Sequence, residues 1–187
     1  RVLLPPLTIA PTNVTISGYL VRRTDRAVTH PHAGTHATRV ATGGVPPYRY
    51  STDTPQRLQV DASSGRVIGI RNGSGRVIVT DSRGSTASYP VTIQNVWYIA
   101  NYGGARHNLA TMNATANNAG GKMPRISDYG NMRTAYAGDP GGYANDYYWV
   151  EDTHAWGSHW LCRPTDGVTF GSNDNRGVGC IGVLLRT

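Results

Sequence analysis

Between residues 43 and 94 a turn-forming cluster interrupts the chain about every ten positions, which leaves room for strands and none for a long helix. The clusters are Ala62-Ser63-Ser64-Gly65, Asn72-Gly73 and Asp81-Ser82-Arg83-Gly84. Glycine reaches positive φ without steric cost, and Asp, Asn and Ser hydrogen-bond to nearby backbone, so each cluster favours a reversal. The apolar runs between them are short: Leu58 and Val60, then Val67, Ile68 and Ile70, then Val77, Ile78 and Val79, then Tyr89, Val91 and Ile93. Runs of this kind predict strands of about four to seven residues in an antiparallel β-sandwich.

The second half obeys a different period. Leu109, Met112, Ala116 and Ala119 recur at helical spacing with Asn108, Asn113, Asn117 and Asn118 between them, which predicts an amphipathic helix. Gly120 suits the left-handed residue that closes it. Pro124 has no backbone N–H and holds Met123 extended, so the link that follows cannot be helical. Ser127 is then a good N-cap and Asp128 complements the dipole of a second helix, whose Tyr129, Met132, Arg133 and Tyr136 share a face until Gly138.

Aromatic residues separate the two halves. All four Trp (97, 149, 156, 160), the only Phe (170) and seven of the eleven Tyr lie from residue 97 onward. Two cores of different composition predict two domains, 1–95 and 96–187, with the break near Gln94-Asn95. The formal net charge of +7 is carried by scattered arginines, Lys122 being the only lysine. No basic run or basic helix occurs, so the charge reads as a solvated surface and nucleic acid is not an expected partner. No apolar stretch is long enough for a membrane-spanning helix. The chain starts at Arg1 without Met and reads as a monomeric fragment of a longer, exported protein. Cys162 and Cys180 form an even pair at short spacing. They read as one disulfide in an oxidising compartment, adding about 3 kcal/mol, the alternative being two free buried thiols.

Two resemblances follow. Residues 41–94, with "VDASSGRVIGI" and "GRVIVTD", resemble the bacterial immunoglobulin-like repeats of surface adhesins, which serve as stalks. Residues 97–187 resemble a C-type-lectin-like domain: "LATMNATANNAGGKMPRISDYGNM" matches its helix, Gly-Gly-basic-x-Pro elbow and second helix. "YANDYYWVED" and "CIGVLLRT" fit its aromatic-rich and closing strands. This order is similar to the C-terminal tip of the intimin/invasin-like adhesins. It implies an all-β immunoglobulin-like sandwich followed by an α+β C-type-lectin-like domain, displayed on the bacterial surface or secreted. The implied function is adhesion to a host or neighbouring cell through a surface protein receptor. The alternative is a glycan-binding lectin module that targets a secreted toxin or phage-like fibre. Those adhesins tie an early helix to the chain end with a disulfide, whereas the first helix here has no cysteine; the resemblance therefore transfers architecture and not individual contact residues.

Three polar stretches raise the question of chemistry. His30, His32 and His36 in "HPHAGTH" have no Asp, Glu or Cys interleaved and read as a polar loop. Glu151, Asp152, His154 and His159 match no metal or hydrolytic motif, so no enzyme, cofactor or metal is expected. Ser172-Asn173-Asp174 occupies the place of half a lectin calcium site, but the companion Glu-Pro-Asn or Gln-Pro-Asp is missing; Pro164 is flanked by Arg163 and Thr165. What remains is a long segment, about 152–178, that reads as a disulfide-pinned contact loop. Trp and Arg supply much of the energy of protein interfaces, and the expected receptor- or glycan-binding residues are Trp156, His159, Trp160, Arg163, Asn173, Asp174 and Arg176.

Overall fold

The structure, a computed structural model, describes residues 4–187 apart from Thr24, Gly103, Gly104, Asp139, Gly142, Ala144, Asn145 and Val178. Part of the "YANDYYWVED" stretch thus lies outside the described residues. The chain is mostly β-sheet with two short helices and separates into two compact units. One runs through Tyr19 and resumes over Pro31–Val96; the other combines Leu20–His30 with Trp97–Thr187.

The first unit contains β1 (Val14–Ile16), β3 (His36–Thr38), β4 (Arg49–Thr52), β5 (Leu58–Val60), β6 (Arg66–Gly69), β7 (Gly73–Thr80) and β8 (Thr86–Ile93). Two sheets form, with orders β1-β8-β7-β4 and β3-β6-β5. They face one another: a Cβ on Gly69 of β6 would lie 2.5 Å from the Ile93 side chain of β8 and 3.3 Å from Ile16 of β1. The fully buried Val67, Val77, Val79, Tyr89 and Val91 fill the space between. The turn at Asp61 is held by its carboxylate, which accepts from the backbone N–H of Ser63 and Ser64 and from both hydroxyls. Those bonds favour the charged form and push the Asp61 carboxyl well below its usual range. Two details depart from the expected antiparallel hairpins. β1 runs parallel to β8, and Asn72-Gly73 leads from one sheet into the other, since β6 and β7 belong to different sheets.

The second unit is built on two three-stranded sheets. β9 (Val96–Asn101) lies between β13 (Gly182–Arg186) and β2 (Leu20–Arg22). β10 (Tyr148–Ala155), β11 (Ser158–Cys162) and β12 (Thr169–Asn173) make an antiparallel meander. Helix α1 (Leu109–Asn118) is capped by Asn108, whose side chain accepts from Thr111 N–H at 3.0 Å. It buries Leu109, Met112 and Ala116 against Trp149, Leu161, Ile181 and Val183. Gly120 takes φ +67° just after it, as the sequence predicts. On the other side of the meander, Tyr148 joins Tyr129 of α2 (Ile126–Ala135) and Tyr143 in an aromatic cluster with centroids 5.6–6.4 Å apart.

The start of α2 differs from the expectation. Its N-cap is Arg125, not Ser127. The orphan donors of the first turn are met elsewhere: Arg125 N–H donates to Asp128 Oδ2 and Ile126 N–H to Asp152 Oδ2, both at 2.8 Å. A carboxylate on β10 thus replaces the local hydroxyl, and the helix begins sooner than its own sequence indicates.

β2 has no counterpart in the sequence reading. Leu20 and Val21 are fully buried, Val21 N–H donates to Asn131 Oδ1 at 2.7 Å, and Arg23 N–H donates to the Tyr136 hydroxyl at 2.9 Å. Thr29 and His30 N–H both donate to Ala135 O at 3.1 Å. Residues 20–30 therefore close the α2 side of the second unit.

Candidate functional site

The segment expected to be a contact loop is the β10–β11–β12 meander. Its strands were hard to read because "SHWLC" and "TFGSN" contain little β-branched sequence. Backbone pairing, and not a disulfide, holds it. Cys162 and Cys180 are both free and buried. The register explains why: Cys162 pairs with Tyr148 across β10–β11, while Cys180 bridges to the same Tyr148 from its other side. Two interstrand spacings, about 10 Å, separate the cysteines, well beyond the reach of a disulfide. Burial pushes each thiol up to about 11.

Among the described residues the most exposed large apolar side chain is Trp156, at the β10–β11 turn, with a relative exposure of 103%. The turn beneath it is tightly held. Gly157 adopts φ +71°, Ala155 N–H donates to Ser158 Oγ at 3.1 Å, and the Ser158 hydroxyl donates back to Ala155 O at 3.2 Å. Asp174 N–H donates to Gly157 O at 3.3 Å, which ties the tip to the end of β12. Beside it His159 Nδ1 and Asp174 Oδ1 lie 2.9 Å apart, both side chains partly buried. Asn173 Oδ1 accepts from Asn175 N–H and Asn173 O from Arg176 N–H, at 2.9 and 3.0 Å, in the turn that leaves Arg176 exposed. Trp156 and His159 also border a recess of about 420 Å³ with Thr153 and Ser158.

Five expected residues, Trp156, His159, Asn173, Asp174 and Arg176, thus gather at one end of the meander. Trp160 and Arg163 do not complete that cluster. Trp160 is only partly exposed and meets His154 edge-on, 4.4 Å between centroids. Arg163 sits beyond the other end of β11, roughly 17 Å away along the strand. There it pairs with Asp166 (Nε to Oδ1, 2.9 Å) and lies over the Tyr147 ring at 5.5 Å. The acidic residues near His154 are also engaged. Glu151 pairs with Arg125 at 2.6 Å, which holds its carboxyl below the usual range, and Asp152 caps α2.

The arrangement suits recognition: a rigid exposed indole, a basic side chain and hydrogen-bonding groups on a stiff hairpin. No protein-family model matches this chain, and comparison with characterised proteins gives no match. Solved structures do match. A C-terminal 282-residue fragment of intimin, in complex with the intimin-binding domain of translocated intimin receptor (Tir), aligns over 97% of this chain and 67% of its own, with a TM-score of 0.58 and 21% identity. The fold is that of intimin's C-terminal region. A mutant intimin of EHEC O157:H7 aligns over 91% of this chain and 87% of its own (TM-score 0.53, 15% identity), and an intimin–Tir90 complex over 98% and 99% (TM-score 0.52, 15% identity).

Within this intimin-like fold, sequence reasoning missed Val168 and Phe170, which are exposed on and beside β12 although apolar. The signal was present as alternation: Val168, Phe170 and Ser172 fall on one strand face. Tyr147 was missed too; it lies 5.9 Å from the Phe170 ring and beneath Arg163.

Proposed function

We propose that this chain is the receptor-binding end of a bacterial surface adhesin. The first unit is an immunoglobulin-like stalk, corresponding to residues 1–95 less the 20–30 segment, and the second a C-type-lectin-like recognition module displayed outside the cell. The partner is a protein on a host or neighbouring cell. The observation that carries this reading is the alignment of 97% of the chain with an intimin fragment bound to a receptor domain.

The mechanism is recognition without covalent chemistry. Trp156 projects from a tip already fixed by three hydrogen bonds, so little conformational freedom is lost when it seats in a partner. The tip's His159, Asn173, Asp174 and Arg176 supply polar contacts around it; Trp160 and Arg163 lie outside that contact.

The test is binding of the labelled fragment to cultured mammalian cells that are untreated, trypsin-treated, or enzymatically stripped of surface glycans. Loss after trypsin with retention after glycan removal is the expected pattern. Loss after glycan removal alone would replace the protein receptor with a sugar, and retention through both treatments would overturn both.

A further inference from the structure

β12 forms one edge of the meander sheet, and among the described residues no strand pairs with its outward side. Arg163 N–H donates to Val168 O at 2.9 Å, and Asp174 N–H donates to Gly157 O at 3.3 Å. Together with the β11–β12 register, these bonds fix the parity of the strand. Residues 168, 170, 172 and 174 turn their peptide groups toward β11, so Thr169, Gly171 and Asn173 turn theirs outward. Asn173 O is already used by Arg176 N–H. The N–H and C=O of Thr169 and Gly171 and the N–H of Asn173 remain, and among the described residues no strand pairs with them.

Natural sheet edges are usually protected by a charge, a proline, a bulge or a covering segment. β12 reads Thr-Phe-Gly-Ser-Asn, without charge or proline, and keeps all five pairs with β11 in unbroken register. The opposite edge of the same sheet is treated differently. There Trp149 N–H donates to Cys180 O at 3.2 Å, Cys180 N–H donates to Tyr147 O at 2.8 Å, and β10 carries two register breaks. The open edge is also flanked by exposed apolar groups, Val168 at 45% and Phe170 at 52%.

We propose that the edge of β12 receives an extended segment of the protein receptor by antiparallel or parallel strand addition; this rests on the receptor-binding reading above. An extended backbone returns N–H and C=O groups at the same spacing as these outward peptide groups, so it can pair with all of them at once. The Phe170–Tyr147 pair favours an apolar side chain at the position of the incoming strand that shares its face. Gly171 asks for a small residue opposite: the His154 ring lies within 2.7–2.9 Å of where a Cβ on Gly171 would stand. A second copy of this chain, paired about Gly171, would set two His154 rings side by side over that point, whereas a receptor strand can carry a small residue there.

The test substitutes Thr169→Pro, which removes an N–H the fold does not use, and separately Thr169→Lys, which keeps the N–H and adds an edge charge. Both are assayed by unfolding, by binding to the cultured cells, and by sedimentation equilibrium. The expected result is native stability for at least one variant with cell binding weakened about tenfold or more, and a monomer throughout. Undiminished binding by a folded variant would overturn strand addition and leave receptor binding intact. A wild-type dimer dissociated by the substitutions would identify a second copy as the occupant and overturn the receptor strand. Failure of the wild-type protein to bind any cell would remove the receptor reading and this inference with it.

Discussion

Leu20 precedes the first tryptophan by more than seventy residues in sequence, yet its removal should be felt by the tryptophans. The side chain is fully buried in β2, which packs with α2 in the unit that contains Trp97, Trp149, Trp156 and Trp160. Leu20→Ala deletes buried methyl groups in a site closed by hydrogen bonds from Val21 and Arg23 to α2 and its C-cap, so collapse around the cavity is restrained. Such a change costs about 2–5 kcal/mol. For a domain of this size, with a guanidinium m-value of roughly 3 kcal/mol per molar, the midpoint should fall by about 1 M. Tryptophan emission followed through guanidinium unfolding reports this unit alone, because the other contains no Trp. An unmoved Trp midpoint, with a shift confined to tyrosine emission, would show that residues 20–30 do not belong to the second unit.

Two further outcomes follow from the geometry. Native protein should show no disulfide and little thiol reactivity at neutral pH, with two thiols titrating once unfolded and alkylation of the folded form rising as pH nears 11; a mass two daltons short of the reduced chain would refute the register that separates Cys162 from Cys180. Glu151 and Asp61 have carboxyls depressed in the folded state, Glu151 first by its Arg125 hydrogen bond and Asp61 first by the Ser64 N–H. Their stabilisation is present above the unfolded carboxyl range near pH 4 and disappears as pH falls through the lower folded values. For the exposed Glu151–Arg125 pair the loss should be below about 1 kcal/mol. Glu151→Gln should therefore narrow the difference between stability at pH 6 and pH 3; an unchanged difference would exclude the pair as a contributor.

The parts of this fold that could be read in the sequence are those set by local chemistry. The Asp61 turn, the strands around Val67, Val77 and Val91, helix α1 and its Gly120 stop all follow from residues within a few positions of one another. What could not be read depends on distant partners. Ser127 carried the better local cap, but Asp152 reached α2 from β10 and moved the start to Arg125. β2 is three residues long and exists because α2 receives it. The cysteine pair misled because spacing along the chain says nothing of the strand that runs between them. In the candidate site, Trp156 was legible as an aromatic in a Gly-Ser turn. The separation of Arg163 from it became visible only with the register of β11.

The central claim, that the tip of the meander touches a protein receptor, is tested most directly by Trp156→Ala. The side chain is wholly exposed, so unfolding should be unchanged within about 0.5 kcal/mol. Binding to trypsin-sensitive sites on cultured cells should weaken by about 2 kcal/mol, some thirtyfold, as for an aromatic hot spot. Equal binding by the variant and the wild type, at equal stability, would contradict the account.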